Sequence, residues 1–205
     1  MATGTPTQTE TTLALTVSSP RSGLRASPEA FWELCHANPD LNLERDADGE
    51  VIVMAPAGME SGGRGLELGR QLGNWNKRTG LGFAFDASAG FTCPDSAVRS
   101  ADVAWVRRER WEALTREERE RFAPIVPDFV AELRSPSDRL VRLREKMREY
   151  VKQGVRLGWL IDPSTAKVEI HRPGQPPEVL DRPKSLSGED VLPSLVIDLK
   201  GVLFD

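Results

Sequence analysis

Two acidic residues stand in stretches that are otherwise apolar, and they are the first candidates for chemistry in this sequence. Glu132 lies near the end of residues 126–133, and Asp102 begins the short apolar run at 102–106. A buried carboxylate costs several kcal/mol unless a cation, hydrogen bonds or a metal offset its charge. Two carboxylates on adjacent strands can bind Mg²⁺ and leave positions for water and a phosphate oxygen. The residues alone leave two interpretations open, a divalent-metal site or a structural ion pair with arginines.

Strands and a helix must position these acids. Residues 126–133 contain a proline near their start and are followed by Ser135-Pro136-Ser137, which is typical of one buried strand. Residues 102–106 predict a second strand. Asp138 then predicts the cap of a helix running to about Gly154, with one apolar face. That face comprises Leu140, Leu143, Met147, Tyr150 and Val151.

Spacing alone gives weaker support for placing other charged residues in the same candidate site. Arg134 shares a strand face with Glu132, so it can point at the same site, whereas Asp128 lies about 13 Å back along the strand. Lys146 faces away from the apolar stripe of its helix, which favours a solvated lysine. Glu67 lies between two leucines of an earlier helix, and its spacing favours a solvent-facing acid.

The remaining segments predict an α+β protein with a mixed sheet flanked by a long helix on either side, in a single domain covering 13–205. Residues 1–12 are polar and predict a disordered tail, with a short edge strand at 13–17. Ser27-Pro28 predicts a helix start, and the turn at 46–49 predicts a hairpin. The glycine-rich residues 61–65 predict a loop before a helix that ends near Gly80. Residues 107–122 predict two short surface helices.

Composition limits the possible classes of protein. The chain has 205 residues, 39% of them hydrophobic and 28% charged, with a net charge of −4. This charge argues against a generally basic nucleic-acid coat, although cations cluster between 134 and 152. Two cysteines without metal-ligand spacing argue against a disulfide framework or a thiolate zinc site. No run approaches the roughly 20 apolar residues of a membrane helix, and no secretory signal is evident, so we expect a cytoplasmic protein.

Several segments resemble the Uma-type restriction endonuclease family, a branch of the PD-(D/E)XK nucleases. The resemblance covers nearly the whole chain from about residue 13, and the Glu-Leu-x-Ser-Pro-Ser-Asp block at 132–138 is its most specific part. The other matching segments are Ser100-Ala101-Asp102-Val103-Ala104-Trp105-Val106, Arg110-Trp111-Glu112-Ala113-Leu114-Thr115, Lys146-Met147-Arg148-Glu149-Tyr150 and Gly158-Trp159-Leu160-Ile161-Asp162-Pro163. This family implies a restriction-endonuclease-like fold, a mixed sheet flanked by helices.

The resemblance implies roles for individual residues. Asp102 matches the motif aspartate, Glu132 matches the second acid, and the carbonyl of Leu133 would complete a site for Mg²⁺ or Mn²⁺. Arg134 stands where many such nucleases have lysine, and Lys146 matches a lysine that has migrated to the following helix. Glu67 matches a helix acid that many such nucleases add to the site. Two departures are Ala101 in place of the usual proline, and a 61–65 segment without the expected Asn or His.

The function implied by this family is Mg²⁺-dependent hydrolysis of DNA by Asp102, Glu132, Lys146 and Glu67. A homodimer would suit the cutting of two strands, and the absence of a separate recognition domain gives no reason to expect sequence-specific restriction. One alternative is a catalytically inactive nuclease-fold protein that binds nucleic acid or serves in assembly. Another is an α+β domain whose acids are structural and whose partner is a protein.

Overall fold

The computed structural model describes residues 21–204, so the predicted tail at 1–12 and strand at 13–17 lie outside the described residues. The helices in this part of the chain are α1 (Pro28–Ala37), α2 (Met59–Thr79), α3 (Arg108–Glu112), α4 (Arg116–Glu120) and α5 (Leu140–Gln153). The strands are β1 (Arg21–Arg25), β2 (Asn42–Arg45), β3 (Glu50–Met54), β4 (Gly82–Asp86), β5 (Phe91–Thr92), β6 (Val98–Arg99), β7 (Val103–Arg107), β8 (Phe129–Leu133), β9 (Leu157–Asp162), β10 (Lys167–His171), β11 (Glu178–Asp181), β12 (Ser185–Ser187) and β13 (Val196–Asp198).

The largest sheet has six strands in the order β11-β10-β9-β8-β7-β4. Strands β8 and β9 are parallel, while the other neighbouring strands are antiparallel, so the sheet is mixed. All five residues of β8 are buried, as its continuous apolar run predicts for a central strand. The mixed sheet expected from the sequence is confirmed.

A long helix covers each face of this sheet. On one face, Leu68, Leu72 and Trp75 of α2 belong to the core cluster that contains Phe129 and Trp159. On the other face, Met147 and Tyr150 of α5 pack with Ala104, Val130 and Leu160. Because strand side chains alternate between faces, Val130 and Glu132 point toward α5, whereas their neighbours in β8 point toward α2. The predicted α+β class with flanking helices is therefore confirmed.

A second sheet was not expected. Five strands in the order β1-β3-β2-β6-β5 form it, and β12 and β13 form a further pair. The hairpin of β2 and β3 matches the prediction, but its partner β6 joins it through Arg45 and Val98. Since β6 leads directly into Ser100 and β7, this pairing brings β2 next to the beginning of β7. The composition of such short strands gives their positions but not their partners.

Two helix starts differ from the predictions. Residues 61–65 lie within α2, because the buried leucines and Trp75 of that helix outweigh the low helix propensity of Gly62 and Gly63. Helix α5 begins at Leu140, and Asp138 does not cap it. Its carboxylate instead accepts hydrogen bonds from Ser135 N and Oγ, both at 2.7 Å.

The predicted helix ends and surface helices agree with the structure. Gly80 and Gly154 end α2 and α5 in the left-handed conformation, and Thr115 and Glu118 form a capping box on α4. Within residues 21–204, no helix has both the length and the apolar character required to cross a membrane.

The substitution Gly82→Ala tests the packing of β4 against β7. A Cβ at this position would overlap Val106 O and lie 2.5 Å from the Trp105 ring, so Gly82→Ala should lower the free energy of unfolding by about 1–3 kcal/mol. In Gly73→Ala the added Cβ meets nothing within 4 Å, and alanine should stabilise α2 by about 0.5–1 kcal/mol. Denaturant unfolding measures both changes. Equal stabilities for Gly82→Ala and wild type would contradict this packing.

Candidate active site

Asp102 and Glu132 lie beside each other on the sheet face that α5 covers. The register of β7 and β8 pairs Val103 with Ala131, so Asp102 comes opposite Glu132 one position further on. Directly opposed residues of antiparallel strands share a face, with Cβ atoms about 5 Å apart. Asp102 Oδ2 also accepts a hydrogen bond from Leu133 N at 2.6 Å, which fixes this carboxylate at the end of β8.

Lys146 extends from α5 onto the same place. Its Nζ lies 2.8 Å from Glu132 Oε1, 2.8 Å from Glu44 Oε1 and 2.8 Å from Ser100 O. An ammonium group has three donors, and these three acceptors occupy them. Spacing alone favoured a solvated lysine, but the side chain is 12% exposed and meets the acids, as the family resemblance implied.

Glu44 is the residue at this site that sequence reasoning missed. It is 2% exposed, its Oε1 accepts from Ser100 N at 3.0 Å, and its Oε2 pairs with Arg99 Nη1 at 3.1 Å. In the sequence it stands beside two other charged residues next to a predicted turn, which resembles a solvated hairpin end. Only the pairing of β2 with β6 reveals its position. We call Glu44, Asp102, Glu132 and Lys146 the acidic centre.

Two more side chains hold the acidic centre in place. The Tyr150 hydroxyl donates to Glu132 Oε1 at 3.2 Å, so two α5 residues one turn apart contact the same carboxylate oxygen. Arg99 links Glu44 to Glu149 of α5, with Nη2 2.5 Å from Glu149 Oε2. Helix α5 is thereby tied both to the central sheet and to the five-stranded sheet.

The pKa values show which groups of the acidic centre are stabilised in their charged forms. Burial raises the pKa of Glu132, the charges of Asp102 and Glu44 raise it further, and the result is about 8 despite Lys146. Burial likewise raises the pKa of Asp102, although its hydrogen bond from Leu133 N acts against this. Burial also disfavours the charged forms of Glu44 and Lys146, but the attraction between opposite charges outweighs this effect of burial. The pKa of Glu44 is therefore lowered, and that of Lys146 lies well above its usual range. The positive charge near Asp102 and Glu132 is therefore too small to offset the burial of their carboxylates.

Two other candidates lie elsewhere. Glu67 is on α2, which covers the opposite face of the sheet, and its carboxylate accepts from Arg70 at 2.6 and 2.7 Å and from Gln71 at 2.9 Å. Among residues 21–204 it makes no contact with the acidic centre. Arg134 pairs with Asp162, with Nη1 2.8 Å from Oδ2. The structure therefore brings Lys146, and neither Glu67 nor Arg134, into contact with Glu132.

The donor set suits a hard divalent cation. Within the described residues, Asp102 Oδ1 and Glu132 Oε2 accept no hydrogen bond, so each acid has one oxygen available. No group of three or more His, Cys, Asp and Glu side chains in residues 21–204 could hold a metal ion by itself. Magnesium ordinarily binds proteins through one or two carboxylates and completes its shell with water and substrate phosphate. Asp102 and Glu132 fit that pattern, and the Leu133 carbonyl as a further ligand stays a prediction.

The mixed sheet with a long helix on each face defines an α+β protein with a nuclease-like fold. The profile of the Uma2 family, described as "Putative restriction endonuclease", matches residues 28–200. The chain belongs to this family. Its structure is similar to the crystal structure of a "putative nuclease belonging to DUF820" from Anabaena variabilis, with a TM-score of 0.67 and 22% identity over 78% of this chain and 89% of that chain. Comparison with curated proteins gives no match.

Lys146→Met tests the buried ion pairs. Removing the ammonium group deprives buried Glu44 of one of its two cations and leaves three acceptors without their shared donor, so the free energy of unfolding should fall by about 1–3 kcal/mol. Lys152→Met, at an exposed position of the same helix, should change it by less than about 0.5 kcal/mol. Denaturant unfolding at neutral pH compares the two variants. If both lose equally little stability, the placement of Lys146 is wrong.

The pH dependence of stability provides a test of Glu132. Its pKa is about 8 in the folded protein, against 4.5 for an unperturbed glutamate. Folding therefore takes up a proton between these values, and the Glu132 contribution to the free energy of unfolding should decrease as pH rises from about 4.5 to about 8. Glu132→Gln cannot titrate and should show a weaker decrease in metal-free buffer. Identical pH profiles for the variant and wild type would contradict the raised pKa.

Proposed function

We propose that this protein is a metal-dependent nuclease that hydrolyses phosphodiester bonds of DNA, using Mg²⁺ or Mn²⁺ at the acidic centre. One observation carries the proposal. Asp102 and Glu132 share a sheet face on adjacent strands, and Lys146 Nζ lies 2.8 Å from Glu132. Membership of a family described as restriction endonucleases supports this function. So does the likeness to a structure described as a nuclease.

In this proposal, each residue of the acidic centre has its own role in hydrolysis. Asp102, Glu132 and the Leu133 carbonyl would hold the ion, which would polarise the scissile phosphate and lower the pKa of its bound water. Lys146 and Tyr150 fix the orientation of Glu132, and the Lys146 charge favours negative charge that develops nearby. Leu133 N fixes Asp102 in the same way. The resemblance alone supports a role for Glu67, whose observed partners favour a structural one.

DNA is the proposed substrate because basic side chains surround the start of α5. Arg139 and Arg142 are exposed and have no acidic partner among the described residues. Such arginines can bind phosphates along the strand without reading its sequence. Since the net charge of the chain is −4, this basic surface is a local feature. A homodimer, with one acidic centre for each strand, belongs to the same proposal.

A second candidate is a nuclease-fold protein that binds nucleic acid or serves in assembly without hydrolysis. The observation in its favour is that acceptors within the chain occupy all three donors of Lys146. Glu132 is also only 4% exposed. An acidic centre satisfied in this way can be stable without performing chemistry. Activity measurements in the presence of metal distinguish the two candidates.

Asp102→Asn and Glu132→Gln should each abolish metal-dependent nicking of plasmid DNA, with a loss of at least about 100-fold, because each removes a charged metal ligand. Glu145→Gln changes an exposed acid beside Lys146 and should leave nicking unchanged.

In the absence of DNA, Mg²⁺ or Mn²⁺ should raise the melting temperature of wild type, with about 2.7 kcal/mol of stabilisation at one hundred times Kd. The two site variants should respond much less.

The controls separate the candidate functions. A wild-type protein that binds DNA but neither nicks it nor responds to metal would favour the binding module. Nicking that survives in both Asp102→Asn and Glu132→Gln would show that the activity comes from another site or another protein in the preparation.

A further inference from the structure

A second polar site lies on the other flank of α5. A partly open cavity of about 410 Å³ is lined by residues from the first turns of α5, from strands β9, β10 and β11, and from the turn between β9 and β10. Arg144 lines it, and because Arg144 and Lys146 are two residues apart, they project from opposite sides of the helix. The cavity and the acidic centre therefore share α5 but not the same residues.

The sheet register places this cavity within reach of the acidic centre. Glu132 pairs with Leu160, Leu160 with Glu169, and Glu169 with Val179. All four residues belong to one row across the sheet, and the last three line the cavity. Neighbouring strands are about 4.8 Å apart, so the backbone at Glu169 is about 10 Å from that at Glu132. A nucleotide near the scissile phosphate can span this distance around the start of α5.

Glu169 is the polar centre of the cavity, and it is 7% exposed. Its Oε1 accepts from Arg144 Nε at 2.7 Å and from Nη2 at 2.5 Å. Its Oε2 lies 3.5 Å from His171 Nε2, which is too long for a good hydrogen bond. His171 Nε2 is itself buried and has no hydrogen-bond partner within residues 21–204. Glu169 Oε2 can therefore accept a hydrogen bond from a ligand.

The rest of the lining defines the chemical class of the ligand. Leu140, Leu160 and Val179 supply apolar walls, which suit the faces of a flat ring. Two acids, Asp162 and Glu169, balance two cations, Arg144 and Lys167, so the charges give no preference for a bare phosphate. A heterocycle with both donor and acceptor groups on its edge matches this lining.

We propose that the cavity binds a nucleobase unstacked from the DNA strand beside the acidic centre, and that Glu169 accepts a hydrogen bond from its exocyclic amino group. The assignment rests on the proposed function for the identity of the strand. It predicts a preference for adenine, cytosine and guanine over thymine, which has no exocyclic amino group. Enzymes that modify a base read it in this way, through hydrogen bonds to the polar edge of the unstacked base.

Binding of free deoxynucleosides tests the cavity without phosphate and without metal. Titration of wild-type protein in EDTA, followed by calorimetry or NMR, should show that thymidine binds about tenfold more weakly than deoxyadenosine, deoxycytidine or deoxyguanosine. Val179→Trp should weaken binding of these three at least about tenfold, because Val179 lines the cavity and the larger ring would fill it. The matched control is Val196→Trp on β13, also at an exposed strand valine, which should bind as wild type does.

A second variant tests the role of Glu169. Glu169→Gln replaces an acceptor-only carboxylate by an amide that can also donate, and it should reduce the discrimination against thymidine. A circular dichroism spectrum like that of wild type would show that the variant is folded. A folded variant with unchanged base preference would overturn the role of Glu169.

The outcomes separate this inference from the proposed function. Absence of nucleoside binding, binding insensitive to Val179→Trp, or equal displacement of nucleosides by inorganic phosphate would each overturn the nucleobase assignment. Plasmid nicking by the same preparation is measured independently. Nicking without nucleoside binding would overturn the cavity assignment alone, whereas nucleoside binding with the predicted base preference but without nicking would support the cavity and contradict the nuclease.

Discussion

The contact of the Lys146 ammonium group with Glu132, Glu44 and Ser100 O is the interaction on which the rest of the structure depends. These acceptors come from β8, from β2 and from the segment that leads into β7, while the donor comes from α5. One buried cation therefore joins the central sheet, the five-stranded sheet and α5. A buried charge of this kind is tolerated only when its donors are satisfied, which constrains all of these elements at once.

The same cluster explains why a divalent ion belongs here in our proposal. Arg99 and Lys146 stabilise the charge of Glu44, but Asp102 and Glu132 have raised pKa values because burial and neighbouring carboxylates oppose their ionisation. A divalent cation would supply the positive charge that these two acids lack. In the proposed nuclease, Lys146 therefore serves both the fold and the site, since it orients Glu132 while leaving its other oxygen available.

Helix α5 carries polar side chains toward two clusters on one sheet face. Lys146 and Tyr150 project from one flank onto Glu132, and Arg144 projects from the other flank onto Glu169. The exposed Arg139 and Arg142 stand at the start of the helix. In the functions proposed here, phosphate contacts, hydrolysis and base recognition would all be arranged around one helix, and a displacement of α5 would affect all three.

The sequence by itself determined the α+β class, the central strand at Phe129–Leu133 and the two long helices, because uninterrupted apolar runs and helical periodicity are local signals. It also identified Asp102 and Glu132, since acids in apolar strands are anomalous wherever they occur. It did not predict Glu44, the second sheet or the helical state of residues 61–65, and its spacing favoured a solvated Lys146. These features depend on which strands pair and which surfaces pack. Such choices were decided by the tertiary structure, because burial and ion pairing between residues distant in sequence leave no periodic pattern along the chain.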